Sequence, residues 1–308
     1  MSQKIPPKIQ PSILGRRRHE WPTWCLIAVI YGGFAMVSYF HQQIPLWLLP
    51  LLGGWFVCWQ SQLQHECIHG HPTRWQFLND LIVYPSLWLW LPYPIYAENH
   101  RRHHATADLT VPDLDPESYY WTAARWHDLG PARRFVATLN QSLLGRMLLG
   151  PFLSISSLIK MELRSLLSGD YSHAGYWLLH SLAVAPVIYW IVAVCDMSFL
   201  KYLLCFALPG TSLALLRSFC EHVPARNPSN RTRAVEDSGP FAWLFLFNNL
   251  HVLHHRSPEI PWYALPSIYY SERSRLLKDS GNTPLKNYGE VFRRYFWRIK
   301  DSPVLPAS

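Results

Sequence analysis

The chain has no Asp, Glu, Lys or Arg between Pro22 and His65. A soluble protein has little reason to keep so long a stretch free of charge, whereas a bilayer span needs roughly 20 mostly apolar residues. The composition agrees, with 49% hydrophobic and only 16% charged residues, where soluble domains carry about a quarter. Trp and Tyr, numbering 15 and 16, carry an apolar body and a polar tip that suit membrane interfaces. The expected class is an all-α integral membrane protein.

Four transmembrane helices are expected, at about 24–40, 44–62, 176–195 and 199–216. Short uncharged or weakly charged turns, His41-Gln42-Gln43 and Asp196 to Ser198, make each pair an antiparallel hairpin. Residues 78–96 are apolar but interrupted by Pro85, Pro92 and Pro94. Proline removes helical hydrogen bonds, so this stretch reads as interfacial or re-entrant. Residues 145–167 mix apolar side chains with Arg146, Lys160, Glu162 and Arg164 and suit a helix lying in the interface. The organisation is thus a basic tail at 1–21, a membrane domain at 22–271 and a C-terminal segment at 272–308. The apolar segment after the tail is long and followed at once by a second, so it reads as a retained anchor rather than a cleaved signal.

The net charge of +8 is placed beside the spans. Lys4, Lys8, Arg16, Arg17 and Arg18 precede the first one, while the turns at His41 and Asp196 carry almost no charge. Basic flanks mark the cytoplasmic side and attract anionic lipid. Both termini, and the polar stretches near 100 and 251, are then cytoplasmic and form a helical cap. No nucleic-acid module is present, and nucleic acid is not an expected partner. The six cysteines are scattered without a CxxC pair, as small buried hydrophobes are.

The chemistry is carried by histidine. His65 and His69 lie where the second span ends; His100, His103 and His104 form one H-x-x-H-H, and His251, His254 and His255 another. Positions i, i+3 and i+4 share a helical face, so each cluster can aim its imidazoles at a common point. Neutral imidazole binds iron, copper and zinc. A single H-x-x-x-H arises by chance; two H-x-x-H-H clusters plus a pair on one membrane face indicate a metal site. His71 falls outside the pattern, and His19, His41, His127, His173 and His180 have no partner at ligand spacing.

The stretches His65-Glu66-Cys67-Ile68-His69, His100-Arg101-Arg102-His103-His104 and His251-Val252-Leu253-His254-His255 resemble the three histidine boxes of membrane fatty acid desaturases, acyl-lipid type above all. Order, spacing and spans fit over about residues 24–270, and Asp115-Pro116-Glu117-Ser118 and Pro261-Trp262-Tyr263 are similar to bacterial members. The resemblance implies two irons held by those eight histidines, dioxygen as co-substrate, an acyl-lipid substrate, and a bacterial inner membrane. It also places a further ligand near His222. Asn248, on the helical face expected for His251 and His255, is either a ligand, directly or through water, or a buried amide satisfying backbone. Glu66, Glu98, Asp108 and Glu221 are second-sphere candidates by proximity, since ligating imidazoles give their other N–H to an acceptor. Asp113, Asp115 and Glu117 read as a turn and a helix start.

The chain has no G-x-G-x-x-G unit and no iron–sulfur cysteine pattern, so an external ferredoxin or cytochrome b5 type donor is expected. The alternatives are a di-iron hydroxylase or ketolase of a lipid, carotenoid or alkane, and a histidine-rich metal transporter or sensor. Transporters place ionisable groups near the bilayer midplane, whereas these histidines lie at span ends.

Overall fold

The computed structural model describes residues 20–306; most of the expected basic tail, with Lys4, Lys8 and Arg16 to Arg18, lies outside the described residues. Among the described residues the chain is helical with isolated bridges and no strands. The helices are α1 (Trp21–Tyr39), α2 (Leu49–Ile68), α3 (Gln76–Val83), α4 (Tyr93–Ala105), α5 (Ala123–Asp128), α6 (Pro131–Leu139) and α7 (Leu143–Leu167). There follow α8 (Ala174–Tyr189), extended by a wider turn to Val194, α9 (Phe199–Tyr202), and α10 (Leu208–Glu221), which is continuous with α9 through Leu203–Ala207. Four shorter elements complete the chain: α11 (Pro240–Leu244), α12 (His251–Arg256), α13 (Leu265–Ser280) and α14 (Tyr288–Tyr295).

Among the described residues, four helices are long and apolar enough to cross a membrane: Trp21–Tyr39, Leu143–Leu167, Ala174–Val194 and Phe199–Glu221. Their outward side chains are apolar. Met36, Leu178, Leu182 and Leu200 are each more than 60% exposed. Water would not tolerate so extensive an apolar surface, and lipid covers it at no cost.

The membership of this set differs from expectation. α2 starts at Leu49 rather than 44 and does not qualify, because its second half carries Gln60, Ser61, Gln62, Gln64, His65 and Glu66, all at most 2% exposed. These polar residues are shielded by protein: α2 packs against α1, α10 and the 203–207 segment, and the Gln60 and Gln64 amides donate to the Val83 carbonyl at 3.3 and 3.1 Å. α7 qualifies by length and apolarity, yet both its ends meet the histidine-bearing side. Arg146 stacks 3.8 Å over the Tyr119 ring, and Glu162 is 2.9 Å from His173, itself 3.6 Å from Glu98 of α4.

The proline-broken stretch at 78–96 resolves into α3, a turn with Leu89 at φ 66°, and the start of α4. Pro94 sits in the first turn of α4, where its missing N–H is no loss. The boundary expected at 272 falls inside α13. The C-terminal segment returns to the bundle, with Tyr288 and Val291 of α14 at 1% and 0% exposure. At the opposite end of the bundle, His41 bridges the two hairpin turns, 3.1 Å from the Cys195 carbonyl and 2.9 Å from Lys201 Nζ.

The α2–α10 contact depends on small residues. A Cβ at Gly53 would stand 2.5 Å from the Cys205 carbonyl, and one at Gly210 would stand 2.5 Å from Val57 Cγ1. Close backbone approach of this kind gives membrane helices their packing. Gly53→Leu is therefore expected to destabilise the protein by about 1–3 kcal/mol or more, as overpacking does. The check is the melting temperature in detergent, which an unstrained contact would leave at the wild-type value.

Candidate metal centre

Nine histidines, eight from the three clusters and His222, converge at one end of the bundle. They form two groups, His65, His69, His100, His104 and His254 in one and His103, His222, His251 and His255 in the other. The ligand atoms of each lie within 4.8 Å of one another. The expectation that each cluster aims at a common point is corrected here. Residues four apart on a helix differ by about 40° in direction, and adjacent ones by about 100°. The i,i+4 pairs 65/69, 100/104 and 251/255 accordingly share a group, while His103 and His254 turn to the other one. An H-x-x-H-H cluster on one helix thus bridges two sites.

The eight cluster histidines do not divide evenly: five fall in the first group and three in the second, which His222 completes. α10 ends at Glu221, and His222 caps it with φ −119° and ψ 146°. That extended backbone throws the ring out of the helix and in among His103, His251 and His255.

The Nε2 atoms face inward. Five inter-ring pairs stand 3.0 to 3.2 Å apart: 69/100, 103/222, 103/255, 251/222 and 254/104. Several outer nitrogens are engaged. His100 Nδ1 lies 2.7 Å from Glu117 Oε1, His103 Nδ1 2.7 Å from Asp115 Oδ1, and His222 Nδ1 3.1 Å from the Arg231 carbonyl. Those acceptors fix the proton on Nδ1, which leaves a lone pair on Nε2. Inward lone pairs at 3 Å repel unless a cation or a proton lies between them. Nitrogens bound at about 2.1 Å to one metal stand roughly 3.0 Å apart at a right angle and about 3.4 Å at a tetrahedral one. The observed spacing fits right-angled coordination.

Burial keeps the rings neutral. It pushes the pKa of His100, His104, His251, His254 and His255 down, reinforced by neighbouring histidines. His222 is lowered to about 3 by burial and then by His103. At His103 burial also lowers, but Glu117 and Asp115 outweigh it and the net shift is upward. The groups contain no carboxylate; negative charge sits one bond outside.

Asp115 and Glu117, read from sequence as a turn and a helix start, prove to orient two of the rings. No helix begins at Asp115. Its Oδ1 accepts from the Glu117 N–H at 2.9 Å and from His103, while Oδ2 accepts from the Thr110 N–H at 2.8 Å. Thr110 and Asp113 have φ near 70°, a strain of about 1–3 kcal/mol each, and the carboxylate holds the Thr110 end of that loop. The pattern Asp-Pro-Glu gave no signal of it, because a 12-residue separation from His103 has no helical meaning.

The other second-sphere expectations divide. Glu221 Oε1 lies 3.4 Å from His251 Nδ1 and 3.1 Å from Arg217 Nε. Glu66 sits beside His65 but accepts from the Trp262 N–H at 3.0 Å, tying the first cluster to Pro261-Trp262-Tyr263. Glu98 and Asp108 turn away, toward His173 and Arg231. Asn248 does not share a helical face with His251 and His255, because α12 starts only at His251 and Leu246 and Phe247 take positive φ before it. Its amide Nδ2 lies 3.0 Å from His65 Nδ1; the carboxamide turned over, with Oδ1 toward the ring, accepts the Nδ1 proton and frees Nε2. His71, outside the groups, lies 2.7 Å from Glu20.

Asp115→Ala is expected to lower metal affinity about 10–100-fold, the usual consequence of losing a ligand's outer partner. His222→Ala should lower the metal-to-protein ratio; a helix-end role would instead lower the melting temperature at constant metal content. Metal analysis and calorimetry on the two variants separate these outcomes.

No curated protein matches the chain. The family model described as Fatty acid desaturase matches residues 42–282, a range that holds all nine histidines, their carboxylate partners and α2 to α13. With four membrane-length helices and two histidine groups fit for metal, the features support a metal-binding membrane oxidoreductase of desaturase or hydroxylase type, and the chain belongs to the fatty acid desaturase family.

Proposed function

We propose that the protein is a dioxygen-dependent di-iron desaturase that introduces a double bond into the acyl chain of a membrane lipid. The observation that carries the reading is the pair of all-histidine groups with inward Nε2 atoms at right-angle spacing. His65, His69, His100, His104 and His254 would hold one iron, and His103, His222, His251 and His255 the other. The irons would supply dioxygen activation and hydrogen removal from an unactivated methylene, which no side chain provides.

The protein's own part is orientation and exclusion of water. Asp115, Glu117 and Asn248 fix imidazole rings through their outer nitrogens, and most of the histidines are almost fully buried. Leading from His100 into the bundle, Tyr96, Trp88 and Trp90 follow one another at ring separations of 5.8, 6.1 and 5.5 Å. This aromatic wall suits an acyl chain lying between the helices. Desaturation removes two hydrogens from adjacent carbons; with two electrons and two protons added, dioxygen leaves as two waters. The electrons come from an external ferredoxin or cytochrome b5 type donor. A hydroxylase or ketolase would use the same centre and return oxygen to the substrate.

The histidines sit at helix ends rather than mid-span, which favours an enzyme over a transporter. α1 begins on their side, Glu20 reaching His71, and the C-terminal segment returns there through Lys300 to the His222 carbonyl. Both termini and the site therefore share a side, which the basic tail makes cytoplasmic. α7, with both ends on that side, lies along the interface. Cysteines at the exposed positions Arg101 and Lys278 should both label from the cytoplasm; labelling from opposite sides would sink this topology.

The function is tested by expression in a host without the activity, with mass spectrometry of total fatty acids and isoprenoids. An acyl product two hydrogens lighter is expected, and a product heavier by oxygen would replace desaturation by hydroxylation. Purified protein should hold about two irons per chain, and His103→Ala or His254→Ala should abolish turnover while the protein still inserts.

A further inference from the structure

Arg146, in the first turn of α7, is buried at 6% exposure, and its Nε has no hydrogen-bond partner. Its guanidinium stacks on Tyr119, and the titratable groups that face it are the phenols of Tyr119 and Tyr120 rather than a carboxylate. A guanidinium does not escape burial by losing its proton, and one aromatic face compensates only part of its lost hydration.

A second buried cation is close by. Lys300, its side chain 1% exposed, has Nζ 6.0 Å from the same Tyr119 ring. It is already satisfied, by Asp301 at 2.9 Å and the His222 carbonyl at 2.8 Å, and Asp301 also accepts from the Tyr120 hydroxyl. The one carboxylate is committed to Lys300, so Arg146 leaves an uncompensated positive charge.

Gln141 adds an independent sign. It is 1% exposed, and both its amide nitrogen and oxygen lack partners. Its backbone carbonyl accepts from the Lys300 N–H at 2.7 Å, so it adjoins this cluster. It directly precedes Ser142, the N-cap of the 25-residue α7. The positive end of a long helix dipole, a buried guanidinium and a free amide donor together recognise an oxyanion. On the opposite, outward side of α7, Leu148 and Phe152 are 60% and 59% exposed, so the cluster sits on a helix that borders the acyl chains of the bilayer.

We propose that Arg146, Gln141 and the N-terminus of α7 bind the oxyanion of an amphipathic lipid, either a fatty carboxylate or a phospholipid phosphate. The site adjoins the metal centre on two sides: Lys300 donates to the His222 carbonyl, and Tyr119 lies two residues beyond Glu117, the partner of His100. A role in presenting substrate rests on the proposed function; the binding does not.

The test is ligand binding and thermal shift on purified, metal-loaded protein in detergent. The probes are palmitate, methyl palmitate, lysophosphatidate and inorganic phosphate. Palmitate, lysophosphatidate or both should raise the melting temperature of the wild type and bind at least about tenfold more weakly to Arg146→Gln. Arg146→Lys should recover most of the affinity, and methyl palmitate should bind both proteins alike. A response to palmitate alone assigns the carboxylate, and to lysophosphatidate alone the phosphate. Equal binding to wild type and Arg146→Gln overturns the site, and binding of inorganic phosphate alone overturns its lipid assignment. If Arg146→Gln does not fold, the preference of the wild type for acid over ester, and its loss in Gln141→Leu, decide the matter. A protein that shows this preference yet makes no oxidised lipid would sink the proposed function and leave the site standing.

Discussion

The bonds from the outer nitrogens of His100 and His103 to Glu117 and Asp115 set the state of the whole centre. Each fixes the tautomer, so that a lone pair rather than a proton faces inward. Together with the His222 bond to the Arg231 carbonyl, they hold rings from two separate elements, α4 and the end of α10, against mutual repulsion. Without them the rings could satisfy one another by N–H···N bonds and the two groups would have no need of a cation. The strained loop at Thr110 and Asp113, the extended C-cap of α10 and the return of the C-terminal segment all serve to keep these acceptors in place.

The electrostatic logic follows from an all-nitrogen donor set. Neutral imidazoles do not compensate a bound cation, and the site is screened from water. Compensation comes from Asp115, Glu117 and Glu221, which stand behind His103, His100 and His251. The carboxylates therefore carry charge without entering either histidine group.

The same balance explains α2. It is the central helix and its second half is polar, which is tolerable only because neighbours surround it. Its glycines bring α10 close enough to exclude lipid, and side-chain amides turn to carbonyls of the α3 end. Apolar residues occupy the outside of the bundle and polar ones its inner end, the reverse of a soluble protein and the arrangement a bilayer imposes.

Legible in the sequence were the membrane class, the proline break before α4 and the eight histidines that the structure brings together. All of these rest on local patterns: charge-free runs, helix-breaking residues and spacings of three and four. The family resemblance marked His222, and proximity marked Glu221. Contacts between distant segments settle how the histidines divide, that Asp115 and Glu117 rather than Glu98 and Asp108 orient them, and that Asn248 meets His65. Those partners are joined across loops and between helices, in one case with 183 residues between. A spacing pattern reports which side chains share a face of one helix; it carries no information on what the fold brings opposite that face.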